Sequence, residues 1–177
     1  MVRSTSPALL IAVAVVAAAS CLSTAAGDNS AVEKICKGTP YPELCATTAG
    51  KQASRYDGGA VDPITVLKMQ VDAFDKRTQA ARAHLAGAVK TATPAAATAL
   101  DLCDSLYLDV EDNLGAARRA IGFKDAVTIR AMMSMAAQDM QGCNEQFKKV
   151  GEKNPMERFN QSLINMSEIC RSLSNMI

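Results

Sequence analysis

Six cysteines, one histidine, a short acidic series and a group of methionines are the side chains in this sequence that could carry chemistry. His84 would need a nucleophile or further ligands beside it to act as a base or hold a metal, and no second histidine exists. It lies next to an apolar stripe with Arg82 two residues away, as a partly exposed surface residue would. Asp101, Asp104, Asp109, Glu111 and Asp112 include carboxylate pairs of the kind glycosidases use, but here they spread along one solvated helix with no sign of a cleft. They suit recognition of a polar partner better than catalysis. Met132, Met133, Met135 and Met140 read as core filler at helical spacing, with Met132 and Met135 off the seam. A Met-rich helix also raises a rival reading, a carrier that holds a small apolar ligand between helices. No Cys-x-x-Cys pair, Gly-rich phosphate loop or Gly-x-Ser-x-Gly elbow occurs. The expectation is a protein with no catalytic residue, no metal ligand and no cofactor.

Which cysteines count depends on the N-terminus. Arg3, the apolar run Ala8–Ala19 and the small, polar stretch Ser20–Ala26 read as a secretory signal peptide over residues 1–26, cut before Gly27. Twelve strongly apolar residues fall short of the roughly 20 that cross a bilayer. Cys21 leaves with that segment, and Cys36, Cys45, Cys103, Cys143 and Cys170 remain. An odd number in a secreted chain implies two bridges and one leftover thiol.

The elements that must position these groups are helical. Alanine is abundant and β-branched runs are rare after the first twenty residues. Asp62-Pro63, Thr93-Pro94 and Asn154-Pro155 each set a capping side chain before a proline at the first helical position, and Asp125 caps a fourth start. Gly122 and Gly151 stand where helices stop. Four apolar seams follow: Ile64 to Ala88, Leu100 to Ile121, Ile129 to Val150 and Met156 to Ile177. One seam on each of four rods predicts an all-α, antiparallel up-and-down four-helix bundle over 61–177. Ahead of it, 27–60 forms a helical hairpin, Val32–Lys37 and Pro42–Ala49, turned by Thr39-Pro40-Tyr41-Pro42, and a loop from Gly50 to Gly59.

Counting then pairs the cysteines. Cys103 and Cys143 are each twenty residues from the turn at Phe123, so two antiparallel helices of equal rise bring them face to face. Cys36 and Cys45 are likewise symmetric about Pro40–Tyr41. Cys170 falls on the last seam, as a small buried hydrophobe and free thiol.

Apolar residues at 49% suit one packed domain, and a net charge of +1 excludes an electrostatic case for nucleic acid. Without Arg3 the mature chain is neutral, which also gives no pull toward a membrane surface. Asn160-Gln161-Ser162 and Asn165-Met166-Ser167 are glycosylation sequons, with Asn165 pointing further from the seam than Asn160.

Several of these pieces together resemble the plant invertase/pectin methylesterase inhibitor family. They are Ile35-Cys36-Lys37-Gly38-Thr39-Pro40-Tyr41-Pro42 with Cys45, Ala99-Leu100-Asp101-Leu102-Cys103 with Leu106-Tyr107 and Leu114, and Ser134-Met135-Ala136 with Cys143 and Phe147 beyond. The resemblance runs from about Ile35 to Ile177. It implies a four-helix bundle behind a helical hairpin, with the same two bridges. It further implies a secreted inhibitor in the apoplast or cell wall that occludes the substrate cleft of a carbohydrate-active enzyme in a reversible one-to-one complex. The partner is then pectin methylesterase or acid invertase, and the protein itself a monomer or weak homodimer. Transferred by helix, the target-binding face would use Asp109, Asp112, Ser134, Gln138 and Gln141. The sequence departs from the family pattern in Met135-Ala136-Ala137, where Ala-Ala-Leu is more usual, and in Gly142 before Cys143. No Pro-Lys-Phe tripeptide occurs; in invertase inhibitors of the family that element enters the target, so its absence tilts the expectation toward pectin methylesterase.

Overall fold

A computed structural model describes residues 29–56 and 60–177. The expected signal peptide, its Cys21 and the Asp57-Gly58-Gly59 end of the expected loop lie outside the described residues. Among those described there are six α-helices and no strand.

The first helix, α1, covers 29–36, longer than the single turn read from the sequence, and buries Val32 and Cys36. Thr39 closes it, its Oγ1 donating to the Cys36 carbonyl at 2.7 Å. Pro42 then opens α2, Pro42–Gly50, and the pair is joined by a Cys36–Cys45 disulfide. A short 3-10 turn, Ala53–Arg55, leads toward the bundle. The hairpin is fastened to α3, Pro63–Ala88, by a buried glutamine: Gln70 Nε2 donates to the Cys45 carbonyl at 2.6 Å, and Thr48 Oγ1 donates to Gln70 Oε1 at 2.9 Å.

Three of the four expected caps open helices where expected. Asp62 accepts from the Thr65 N–H at the start of α3, Thr93 from Ala96 at the start of α4, Pro94–Gly122, and Asp125 from Thr128 at the start of α5, Ala126–Val150. The fourth departs. Asn154 accepts from the Met156 N–H at 2.8 Å, but α6 begins two residues past Pro155, spanning Glu157–Ser174. The intervening turn drops the Met156 side chain into the core, where it is fully buried.

Gly151 ends α5 in the left-handed conformation, φ 69°, with the Glu152 N–H reaching back to the Phe147 carbonyl. Gly122 does not play that part for α4. Helix α4 runs through it, and the left-handed residue is Lys124, φ 54°, with the Asp125 N–H bonded to the Ala120 carbonyl. The same paired bonds satisfy the carbonyls of both helix ends, and Asp125 serves at once as the stop of α4 and the cap of α5.

The four long helices pack in a ring, α3 on α4, α4 on α5, α5 on α6 and α6 back on α3, as an up-and-down bundle. Their seams are buried except at the ends, where Ile64, Ala88, Val150 and Ile177 are half-buried, and at Phe159. Each fully buried Leu, Phe or Met contributes about 1.5–3 kcal/mol of transfer free energy. A disulfide joins Cys103 to Cys143 between α4 and α5. Cys170 is free and buried in the same core, and burial pushes its thiol up to about 12.

Candidate functional site

Contacts fix the orientation of α4 and α5 and hence which residues each turns outward. Helix α4 meets α3 through Asp104 and Glu111, both held by Arg82, with the Arg82 Nε donating to Asp104 at 2.9 Å. It meets α5 through the Cys103–Cys143 bridge and through Asn113, whose Nδ2 donates to Asp139 Oδ2 at 3.1 Å. Helix α5 meets α6 along its other edge, where Asn144 Oδ1 accepts from Asn160 at 2.7 Å and Arg130 donates to Asn175 at 3.0 Å.

The inner side of the α4–α5 pair is polar as well as apolar, and its polar groups are partnered. Tyr107 donates its hydroxyl to Asn160 Oδ1 at 2.6 Å; Asn160 and Asn154 both donate to Asn144 Oδ1. Burial raises the Tyr107 hydroxyl well above its ordinary value, so it stays protonated as the donor this chain of bonds needs. Asn160 is fully buried, with both ends of its amide bonded. A sugar on Nδ2 would break its bond to Asn144. Asn165 is half-buried, accepts from Gln161 and remains the sequon with room.

Two helices packed side by side meet along a shallow furrow on their outward side. Asp109 stands one turn before Asn113 and Leu102 one turn before Leu106 on α4; Met135 stands one turn before Asp139 on α5. The helices approach closely beside Gly142, where a Cβ would lie 3.4 Å from Leu106 Cδ1. Leu102 and Met135 are 42% and 47% exposed, so the lips are partly apolar while Asp109 and Asp139 give the groove its charge. Burial, and after it the charge of Asp109, push the Asp139 carboxyl up to about 6, with the Asn113 bond a partial offset.

The residues expected on a binding face are only partly united. Asp109 and Gln138 are both exposed on the outer side of this groove. Asp112 is exposed on α4, three residues after Asp109 and about 60° round the helix from it. Ser134 and Gln141 lie along the α6 edge of α5, and the Ser134 hydroxyl is spent on the Arg130 carbonyl at 2.8 Å. Asp139 was missed by sequence reasoning. The count that pairs Cys103 with Cys143 sets Asp139 opposite Tyr107, within reach of Asp109, yet an acidic series read along α4 alone passes over it.

The remaining candidates fall where a scaffold would put them. His84 is exposed, its ring centroid 5.2 Å from that of Phe159, and Arg77 caps the same ring at 4.2 Å. Met133 and Met140 are fully buried, Met132 is half-buried and Met135 is exposed. A surface hollow of about 420 Å³, lined by Arg82, Leu85, Val89, Asp101 and Asp104, opens on the α3 side of α4, away from the methionines. Among the described residues no group of three His, Cys, Asp or Glu could hold a metal ion, and no helix is long and apolar enough to cross a membrane.

The family model described as plant invertase/pectin methylesterase inhibitor matches residues 30–173. The fold is similar to the crystal structure of a mutant form of a pectin methylesterase inhibitor from Arabidopsis, at TM-score 0.64 and 17% identity, covering 81% of this chain and 94% of that one. It is also similar to the crystal structure of a pectin methylesterase inhibitor from Arabidopsis thaliana, at TM-score 0.61 and 18% identity, covering 83% and 95%. No curated protein matches the chain.

Proposed function

The chain belongs to the plant invertase/pectin methylesterase inhibitor family, and from that premise we propose that it inhibits a pectin methylesterase by covering the enzyme's substrate cleft in a reversible one-to-one complex. The coarse function follows from membership: a proteinaceous inhibitor of pectin methylesterase or invertase, and not an enzyme. The observation that carries the finer reading is the match over 30–173 of a chain that lacks the Pro-Lys-Phe element of the invertase inhibitors it resembles. The outer groove of α4 and α5 is the docking face in this reading, with Asp109 and Gln138 at its centre and Asp112, Ser134 and Gln141 on its flanks.

A bundle crosslinked between α4 and α5 suits such a role because its docking helices are ordered before they meet the target, so little conformational entropy is lost on binding. The signal peptide read at 1–26 puts the action in the apoplast or cell wall. Recombinant mature protein assayed against secreted pectin methylesterases and acid invertases tests the reading. Loss of methylesterase activity at equimolar protein supports it, inhibition of invertase alone would move the target, and inactivity toward both would remove it.

A further inference from the structure

Arg77 stands half-buried on the α6 side of α3, its guanidinium carbon 4.2 Å over the Phe159 ring. Its Nε is buried with no hydrogen-bond partner. Burial raises the Tyr107 hydroxyl and the charge of Arg77 offsets part of that rise, so the guanidinium lies within electrostatic reach of the core network. His84 follows two turns along the same face of α3, exposed, its ring centroid 5.2 Å from that of Phe159. Arg158 is exposed on α6. It precedes Phe159 where Asn160, bonded to α5, follows it, so Arg158 turns away from α5 toward the outside of the α3–α6 furrow. Among the described residues no carboxylate is paired with any of these three. The sequence holds no Asp or Glu between Asp75 and Asp101, and Asp75 is bonded to Arg118. On α6, Glu168 is bonded to Arg171, and Glu157 lies about 160° round the helix from Phe159.

We propose that the furrow between α3 and α6 binds a carboxylate-bearing polysaccharide, a stretch of de-esterified pectin. The inference rests on the inhibitor reading above for its choice of ligand, because a pectin methylesterase hydrolyses methyl esters and leaves free carboxylates on the polymer. The Arg77 guanidinium is a planar fork that takes a carboxylate through two N–H bonds, and its stacking on Phe159 holds it in one orientation. A carboxylate there supplies the counter-charge that this half-buried cation lacks. The His84 imidazole carries an N–H donor in either protonation state. With Arg158 it extends the row of donors, so a polymer that repeats its acid group fits better than one small anion. A methyl ester keeps a carbonyl acceptor but loses the charge, so the furrow distinguishes product from substrate. Helices α3 and α6 form the side of the bundle opposite α4 and α5. The polymer and the enzyme are therefore held at once, and the inhibitor collects where the methylesterase has acted.

Titration of the mature protein with an oligogalacturonate, with the same oligomer fully methyl-esterified, and with a polyglutamate of equal charge tests this by calorimetry and NMR. The expected result is saturable binding of the oligogalacturonate that shifts the Phe159, Arg77 and His84 side-chain signals, with the ester and the polyglutamate each at least about tenfold weaker. Arg77→Gln should weaken binding at least about tenfold, and Arg77→Lys, which keeps the charge without the fork, by less. Arg130→Gln, which removes a cation on the α5–α6 edge, should leave it unchanged. Each variant is checked for an unchanged circular dichroism spectrum, and the shifts in the parent protein locate the site should a variant fail to fold. No binding, equal binding of the ester or of polyglutamate, shifts confined to other faces, or an equal loss in Arg130→Gln would each overturn the inference. No methylesterase is present in these titrations, so such a failure leaves the inhibitor reading to stand or fall on the inhibition assay.

Discussion

The two sides of the α4–α5 hairpin are made by the same pair of helices and treat polar groups oppositely. On the inner side Tyr107, Asn160, Asn144 and Asn154 are linked by bonds of 2.6–2.8 Å, and Cys103 is joined to Cys143. On the outer side Asp109 and Asp139 share a groove with one amide donor and no cation. Buried polar groups left without partners cost the fold 1–3 kcal/mol each, roughly, so the inner network reads as structural necessity. The outer pair costs stability at neutral pH, where burial and the charge of Asp109 disfavour the Asp139 carboxylate. A scaffold gains nothing from like charges held close together, and that directs attention to this side as the working surface.

The contrast can be broken most easily from the inside. Replacing Cys103 and Cys143 together by alanine should lower stability by about 4 kcal/mol on the chain-entropy estimate for the 40-residue separation. The same change at Cys36 and Cys45, separated by 9 residues, should cost about 2.7 kcal/mol. Thermal or urea unfolding monitored by circular dichroism measures both, and equal losses would argue against the loop-length account. Tyr107→Phe should cost about 1–3 kcal/mol by leaving the Asn160 carbonyl oxygen without its donor. Little or no loss in urea titrations would mean the inner network is dispensable.

Asp139→Asn should act in the other direction. The Asp139 carboxyl is raised from 3.8 to about 6 by folding, so the folded state favours the protonated form. Its contribution is most favourable below the unfolded value and is lost as the pH rises through about 6. At neutral pH the asparagine variant should therefore be the more stable, by about 1 kcal/mol once solvent screening of a half-exposed group is discounted. The advantage should vanish near pH 4, the ordinary Asp range. Denaturation at the two pH values checks the sign. Smallest in energy is the difference between the two sequons: mass analysis of secreted protein should find any glycan on Asn165 and none on Asn160, because only Asn165 keeps an open side.

Much of this was readable in the residues because it follows from periodicity and counting. The seams ran at helical spacing, the capping prolines announced α3 and α4, and equal distances from Phe123 paired Cys103 with Cys143. What was hidden depended on side chains meeting across elements. Asn160 was read only as the sequon nearer the seam than Asn165, and nothing local reveals that Tyr107 and Asn144 satisfy its amide in the core. Gln70 was invisible for the same reason, its partners being in the hairpin. Gly122 was expected to stop α4 on the strength of its residue type, but the paired backbone bonds around Lys124 hold a non-glycine residue in the left-handed region. The binding face was carried over helix by helix, which cannot tell the groove side of α5, where Asp139 lies, from the α6 edge, where Ser134 and Gln141 lie.

The central claim is that the target docks over the outer groove of α4 and α5. Inhibition constants toward one pectin methylesterase should be compared for a groove variant, Asp109→Arg with Gln138→Arg, and a variant on the α3 flank of α4, Asp101→Arg, each checked for an unchanged circular dichroism spectrum. The account predicts that the groove variant weakens inhibition at least tenfold, about 1.4 kcal/mol, while the flank variant inhibits like the parent protein. Full inhibition by the groove variant together with loss in the flank variant would contradict it.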